Sequence, residues 1–387
     1  MTQFMERSSW IRKMFEEGAA LKAQYGADQV CDFTLGNPDL AAPKAVEDEL
    51  EKIVRETSHL KYGYMPNAGY PETRAAVANF LAEEQQMTVN SQGIVMTCGA
   101  GGALNVILKT ILNPGDEVIT PSPFFVEYNF YVDNHGGVLC SIPPGKDFAL
   151  DLEAIASAIN EKTAAVIINS PNNPSGVIFS AQQIAALGKL LADKSAEMGR
   201  TIYLISDEPY RKLVYDGLTV PPIFPVYRNT VIANSYSKEL SLAGERIGFL
   251  ALHPEADDFE QLTNGFVFSN RILGFVNAPG IMQRLIARLQ GITIDVAVYE
   301  RKRDILYQGL VEAGFQVAKP QGAFYLFPRS PLTDDVEFVR ELQKYRILAV
   351  PGSGFSGPGF FRLAYCVDDA TIERSLSIFK EVGKKFC

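Results

Sequence analysis

From about Ile94 the chain alternates short apolar runs, bounded by turn residues, with longer stretches whose apolar positions recur at helical spacing. Ile94–Thr97, Glu117–Thr120, Gly137–Ile142, Ala164–Ile168, Ile202–Ile205, Val231–Ala233 and Ile247–Leu252 read as strands. Several are apolar on both faces, as strands are when helices cover them on two sides. Between them Ala103–Leu112, Phe125–Asn134, Leu152–Ile159 and Ala181–Glu197 read as helices. The alternation predicts a three-layer α/β unit with a mostly parallel sheet. Upstream, Trp10, Ile11, Met14, Phe15 and Leu21 fall at helical spacing behind Ser8 and Ser9 as caps, predicting an amphipathic helix that stops near Gly26. After about Ile286 the rhythm changes to a long polar helix, Val296–Glu312, then short strands and a closing helix near Ala370–Lys384. This predicts a second, smaller α+β unit packed closely on the first, since no repeat or Pro/Ser-rich linker divides them.

Composition narrows the function more than the fold. The 387 residues are enough for one large core and a satellite, and 47% apolar with 21% charged residues excludes a disordered or fibrous chain. With 36 basic against 45 acidic side chains the net charge is −9, which disfavours nucleic acid or an anionic membrane held by a general positive field. Cys31, Cys98, Cys140, Cys366 and Cys387 show no paired spacing, so neither a disulfide framework nor a zinc site is expected, and a reducing cytoplasm is. His59, His135 and His253 are too dispersed to form a metal cluster. Met1–Met14 carries Glu6, Arg7, Arg12 and Lys13, unlike a secretory leader, and no apolar stretch approaches the ~20 residues of a membrane span. Catalysis must therefore proceed without a metal or a histidine dyad.

In open α/β sheets ligands bind where strands end. Ile94–Thr97 is followed by Gly99-Ala100-Gly101-Gly102 at the start of a helix, a source of free N–H groups and positive dipole for a phosphate. It is no dinucleotide fingerprint, because Leu104 stands where the third glycine belongs. Ala164–Ile168 leads into Asn169-Ser170-Pro171-Asn172-Asn173-Pro174-Ser175-Gly176, Ile202–Ile205 into Asp207-Glu208-Pro209-Tyr210, and Val231–Ala233 into Asn234-Ser235-Tyr236-Ser237-Lys238, with Arg246 beyond. Taken singly each is an ordinary turn, cap or surface charge. Together, a lysine amine, a carboxylate, a phenol and a phosphate cradle form the set that pyridoxal phosphate requires.

Asn-Asn-Pro-Ser-Gly at 172–176, Asp-Glu-Pro-Tyr at 207–210, Ser-Tyr-Ser-Lys at 235–238, Arg246 in Gly-Glu-Arg-Ile-Gly, the 320–325 run Pro-Gln-Gly-Ala-Phe-Tyr and the 350–355 run before Arg362 occur in one order and spacing. In these the chain resembles the fold-type I, class I/II pyridoxal-phosphate aminotransferases, the aspartate aminotransferase superfamily, over nearly its whole length. The resemblance implies a large cofactor-binding domain at 46–285 and a small domain assembled from 1–45 and 286–387. It implies that Lys238 forms the Schiff base and shuttles the proton, that Asp207 pairs with the pyridine nitrogen, and that Tyr210 and Asn173 bond the cofactor's 3-oxygen. Ala100 and Gly101 N–H groups, Ser235, Ser237 and Arg246 would hold the phosphate, and Phe125, with Phe124 as the neighbouring alternative, would stack on the ring. Tyr62 would reach the phosphate of a second subunit, making a homodimer with shared active sites. Arg362 would grip the substrate α-carboxylate, with Gly36 and Asn37 beside it and Asn173 in reach. No metal is implied.

The activity so implied is ping-pong transfer of an amino group from an L-amino acid to a 2-oxo acid, 2-oxoglutarate being the expected acceptor and an aspartate-type donor one option. A carbon–sulfur β-lyase on the same scaffold is the alternative. A cofactor-binding module of a transcription regulator is disfavoured, since no room precedes the matching region for a helix-turn-helix and the chain is acidic. Two departures bear on the substrate: Gly101 stands where many relatives carry a polar or basic side chain, and Asn37 where they often carry Glu or Gln. Lys109 and Arg271 are the candidate cations for a dicarboxylic substrate.

Overall fold

A computed structural model describes residues 16–57 and 61–387. In chain order its strands are β1 (Cys31–Asp32), β2 (Ile94–Thr97), β3 (Glu117–Pro121), β4 (Val138–Ile142), β5 (Thr163–Asn169), β6 (Tyr203–Asp207), β7 (Thr230–Ser235), β8 (Gly248–Leu252), β9 (Tyr325–Leu326), β10 (Ile347–Leu348), β11 (Val350–Pro351) and β12 (Phe361–Ala364). Residues 16–25 are helical (α1). The further helices are α2 (Lys44–Arg55), α3 (Pro71–Gln85), α4 (Gly99–Ile111), α5 (Tyr128–Asp133), α6 (Leu152–Ala158), α7 (Ala181–Met198), α8 (Phe259–Ile272), α9 (Gly280–Arg288), α10 (Val296–Glu312), α11 (Asp335–Lys344) and α12 (Asp369–Phe386).

The seven apolar runs pair in the order β2-β8-β7-β6-β5-β3-β4. Neighbours are parallel except at β8, which runs against both β7 and β2. Successive side chains of a strand point to opposite faces, and the core divides accordingly. Val166 and Ile168 of β5 and Leu204 of β6 join α2, α3, α7 and α9 on one face, while Ala165, Ile167 and Ile205 join α4, α5 and α8 on the other. Every residue of β5 is buried, which is why this strand is continuously apolar in sequence rather than alternating. The helices between strands carry local signals. Ser180 and Gln183 form a reciprocal capping box on α7, which ends at Gly199 in a left-handed conformation.

A third cluster joins the two ends of the chain. Cys31 and Phe33 pack with Leu306 and Leu310 of α10, Phe338 and Leu342 of α11, Phe379 and Val382 of α12, and Phe324 and Phe361. β1 pairs in parallel with β10, and β12 lies between β11 and β9 in a small antiparallel sheet. Tyr210, Leu213 and Tyr215, in the loop after β6, belong to this cluster as well. The carboxyl edge of the large sheet is thereby covered by residues near both termini.

Two boundaries differ from the sequence expectation. α4 begins at Gly99, four residues before the apolar helical spacing starts at Ala103, the glycines read as opening a helix forming its first turn. α5 begins at Tyr128 rather than Phe125: the Phe124 N–H donates to Phe355 O at 3.0 Å, which holds the preceding segment off the helix. Of the expected first helix, Trp10, Ile11, Met14 and Phe15 lie outside the described residues, whereas Leu21 falls in α1. No described helix is long and apolar enough to cross a membrane.

The start of α4 rests directly on β8. A side-chain carbon at Gly248 would stand 2.4 Å from Asn234 O and 2.8 Å from Gly99 Cα, and Gly99 itself has φ +73. Gly248→Ala must therefore push the helix start away from the sheet. We expect a loss of roughly 1–3 kcal/mol of stability, measured by urea denaturation, with weaker retention of an anion at the α4 N-terminus.

Candidate active site

Because the strands β2, β5, β6 and β7 run in one direction, Thr97, Asn169, Asp207 and Ser235 finish at one edge of the sheet, and β8 starts there just after Arg246. A cavity of about 400 Å³ opens at this edge. Its wall includes Gly36, Ala100, Gly101, Phe125, Asn173, Asp207, Tyr210, Ser235, Ser237, Lys238, Arg246 and Arg362. Two expected residues are not among its lining: Asn37 is exposed on the segment after Gly36, and Tyr62 is 75% exposed away from the cavity of its own chain. Phe125 lines the cavity, whereas Phe124 is buried outside its lining and stacks in parallel on Tyr128.

Asp207 is the most constrained group. Its Oδ2 accepts from the Tyr128 hydroxyl at 2.5 Å, and its Oδ1 is buried without any partner. Burial drives its carboxyl up to about 7, against the Tyr128 bond, with Glu208 adding to the rise. Asn169 fixes the strand end: its amide donates to Asp207 O at 2.8 Å and its carbonyl accepts from the Asn173 N–H at 2.7 Å. An orphaned, buried carboxylate oxygen on a cavity wall is a site for a protonated ring nitrogen.

At the opposite end the first turn of α4 presents its free N–H groups. Arg246, itself in a left-handed conformation, lies across that turn, with Nη1 on Ala243 O at 2.9 Å. Its Nη2 would be 2.9 Å from a side-chain carbon at Gly99. Ser235 and Ser237 are buried beside it on the cavity wall. An N-terminal helix turn, a guanidinium and two hydroxyls suit a phosphate.

Lys238 stands between these ends. Its Nζ donates to Gly36 O at 2.8 Å and lies 5.4 Å from the centre of the Phe324 ring. Burial lowers its ammonium to about 8, Arg362 and Arg246 pushing the same way and Cys366 the other. A substantial neutral fraction near that pH gives it nucleophilic character. Arg362 is sandwiched between the rings of Tyr325 and Phe355, at 4.6 and 4.5 Å. Its Nη1 donates to Asn173 Oδ1 at 3.1 Å and Nη2 to Thr34 O at 2.7 Å, while Nε is buried without a partner. Tyr210 and Tyr325 bond hydroxyl to hydroxyl at 2.9 Å, and burial raises both phenols.

Sequence reasoning missed Tyr128, Asn169, Tyr325, Tyr131, Glu127 and Thr34. Asn169 was open to discovery as a polar residue closing an apolar strand, and Tyr325 closes a quoted motif. Tyr128 carries no such signal, since only the tertiary placement of α5, beside α4 and β4, brings it to Asp207. Lys109 and Arg271 are exposed on α4 and α8 and do not line the cavity, and Arg271 sits over Phe268 at 5.2 Å.

Known proteins share this arrangement of sequence and fold. A family model described as aminotransferase class I and II matches residues 28–379. A probable aspartate aminotransferase of Methanocaldococcus jannaschii is 33% identical over 90% of this chain and 92% of its own length. A probable aspartate/prephenate aminotransferase of Aquifex aeolicus is 33% identical over 91% of this chain and 90% of its own. The crystal structure of an amino transferase from Eubacterium rectale superimposes with a TM-score of 0.95 at 40% identity, covering 97% of this chain and 95% of that one.

Asp207 generates a pH test. Its folded pKa lies above the unfolded value of 3.8, so between about 4 and 7 the folded cofactor-free protein keeps a proton that the unfolded chain has released. Its contribution to stability is present below that window and is lost as pH rises through it. Asp207→Asn should flatten the dependence of the thermal midpoint on pH across the window and raise the midpoint above pH ~7.

Proposed function

The chain belongs to the class I and II aminotransferases, pyridoxal-phosphate enzymes, and from that premise we propose how its own residues divide the transfer of an amino group from an L-amino acid to a 2-oxo acid. The observation that carries the assignment is the partnerless buried oxygen of Asp207 in the same cavity as Lys238 and the α4 helix turn. These groups fit the cofactor. Asp207 would hold its ring nitrogen protonated, Tyr210 and Asn173 its 3-oxygen, and Phe125 one face of the ring. Ala100, Gly101, Ser235, Ser237 and Arg246 would hold its phosphate. When bound, the cofactor supplies an aldehyde that condenses with amines and a ring that takes up the electron pair left at the substrate α-carbon.

Lys238 would hold the aldehyde end of the cofactor. Its buried ε-amine, whose ammonium is lowered to about 8 in the cofactor-free protein, would be the group that carries a proton to and from the substrate Cα. Arg362 fixes the substrate α-carboxylate through the planar fork that it now extends to Asn173 and Thr34 O. Thr34 and Gly36 come from the N-terminal segment that pairs with β10. We read that segment, 1–45, with 286–387 as one unit and 46–285 as the other, the first closing over the second when substrate replaces the bonds to Thr34 and Gly36. Such closure would exclude water from the cavity.

We also read the enzyme as a cytoplasmic homodimer. All five cysteines are free, as a reducing compartment keeps them. Tyr62 is exposed away from its own cavity, the disposition of a side chain that serves a second copy.

The test is the spectrum of the bound cofactor during single turnovers with a panel of amino acids. Conversion to the amine form, reversed by a 2-oxo acid, is the expected result. Release of pyruvate and ammonia without any acceptor would instead establish β-elimination. Lys238→Ala should lower kcat by about 10⁴-fold. Arg362→Lys should lower kcat/KM by about 10²-fold, chiefly through KM, because an ammonium cannot reproduce the two-pronged contact.

A further inference from the structure

Arg303, on α10, is fully buried, lies outside the cavity lining and touches none of the groups assigned to the amino transfer. Its guanidinium grips Asp216, in the loop beyond β6, with both prongs: Nη1 donates to Oδ2 at 2.7 Å and Nη2 to Oδ1 at 2.9 Å. Nη1 also donates to Pro320 O at 3.1 Å, and the guanidinium covers the Tyr215 ring at 4.7 Å. Glu300, one turn earlier on α10, adds a further tie by accepting from the Asp216 N–H at 2.9 Å. One side chain thus anchors two separate stretches of chain to a helix.

These stretches, 210–216 and 320–325, run antiparallel between the anchor and the cavity. The Ala323 N–H donates to Leu213 O at 2.9 Å and the Tyr215 N–H to Gln321 O at 3.0 Å, on either side of a bridge between Val214 and Gly322. The Tyr215 and Tyr365 hydroxyls both close on Ala323 O. Clearance is tight here as well, since a side-chain carbon at Gly322 would stand 2.6 Å from Leu213 O. At the cavity end of the ladder Tyr210 and Tyr325, both on the cavity wall, meet hydroxyl to hydroxyl at 2.9 Å. A hydroxyl that accepts from Tyr325 keeps its own proton for a group in the cavity. So short a ladder is marginal by itself, and its register depends on what holds the outer end.

We infer that Arg303 is a positioning residue for Tyr210: by clamping Asp216 and Pro320 O to α10 it sets the register of the ladder, and with it the place of the Tyr210 hydroxyl on the cavity wall. The inference rests on the reading that Tyr210 bonds the cofactor's 3-oxygen, and deepens it. The run from Pro320 to Tyr325 gains a role by the same argument, since of its six residues only Tyr325 lines the cavity and the others carry the register to it.

Two variants test this. Asp216→Asn removes the charge that the guanidinium grips while keeping a residue type at home in the left-handed conformation of this position, φ +56. Arg303→Met keeps the unbranched stem; should it fail to fold, Asp216→Asn, at a side chain 43% exposed, decides alone. In the cofactor-free protein, hydrogen–deuterium exchange of peptides spanning 210–217 and 320–326 is expected to quicken by about tenfold or more at the ladder amides. In the holoenzyme without substrate, the pH midpoint of the bound cofactor's absorption is expected to move in the direction that Tyr210→Phe moves it, by about half a unit or more. Adding Arg303→Met to Tyr210→Phe should move it no further, because the clamp acts through Tyr210. The inference is overturned if exchange in both peptides keeps its wild-type rate, if the clamp variants leave the midpoint where Tyr210→Phe moves it, or if the two shifts add. A midpoint that Tyr210→Phe itself leaves in place would refute the reading of Tyr210, and the inference with it.

Discussion

A carboxylate at the end of β6, buried and satisfied on one oxygen only, sets the terms for everything around it. Leaving Asp207 Oδ1 without a partner is costly in a site of low polarizability, so the surroundings must hold the group rigidly. Tyr128 does this from α5, and Asn169 from the adjacent strand, tying the Asp207 carbonyl to the Asn173 turn. Once those bonds are fixed, the positions of Phe125, Asn173 and Lys238 around the same opening follow from the lengths of their own loops. The site is therefore a consequence of strand termini held in register, with one carboxylate oxygen left open toward the cavity.

The three cations of the cavity show how an acidic chain builds a locally cationic opening. Net charge is −9, yet Arg246, Lys238 and Arg362 lie along one opening. They are kept apart by different means: Arg246 is laid on a helix start, Lys238 is desolvated against an aromatic ring, and Arg362 is clamped between two rings. Stacking leaves the edge of the Arg362 guanidinium open to a planar partner, and desolvation lowers the Lys238 ammonium to about 8. Residue type alone shows none of these differences.

Much of this was legible in the sequence, for identifiable reasons. Strands buried on both faces announce themselves as unbroken apolar runs, so all seven large-sheet strands were placed to within a residue or two of their observed ends. The cofactor-side residues follow strand ends in dense turns, and the structure brings them together on one cavity wall. What escaped notice depends on tertiary contact. Tyr128, Tyr131 and Glu127 lie in a segment that reads as plain helix, and their meaning comes from which residue of β6 or α4 they face. The α4 start falls before the apolar spacing because glycine, a helix breaker by propensity, is here what allows the first turn to sit against Arg246 and β8. Lys109 and Arg271 drew attention through charge, which by itself does not say which way a side chain points.

The bond from Lys238 to Gly36 has a bearing on how this site tolerates change over generations. Its acceptor is a main-chain carbonyl, which no substitution at that position deletes. What a substitution does alter is clearance, since a side-chain carbon at Gly36 would lie 2.0 Å from the Tyr325 hydroxyl. Variation at residue 36 is thus filtered by volume and not by chemistry, and the path to an altered site there runs through Tyr325 first. Two residues far apart in the chain form a single heritable unit, in which the smaller can enlarge only after the larger has yielded.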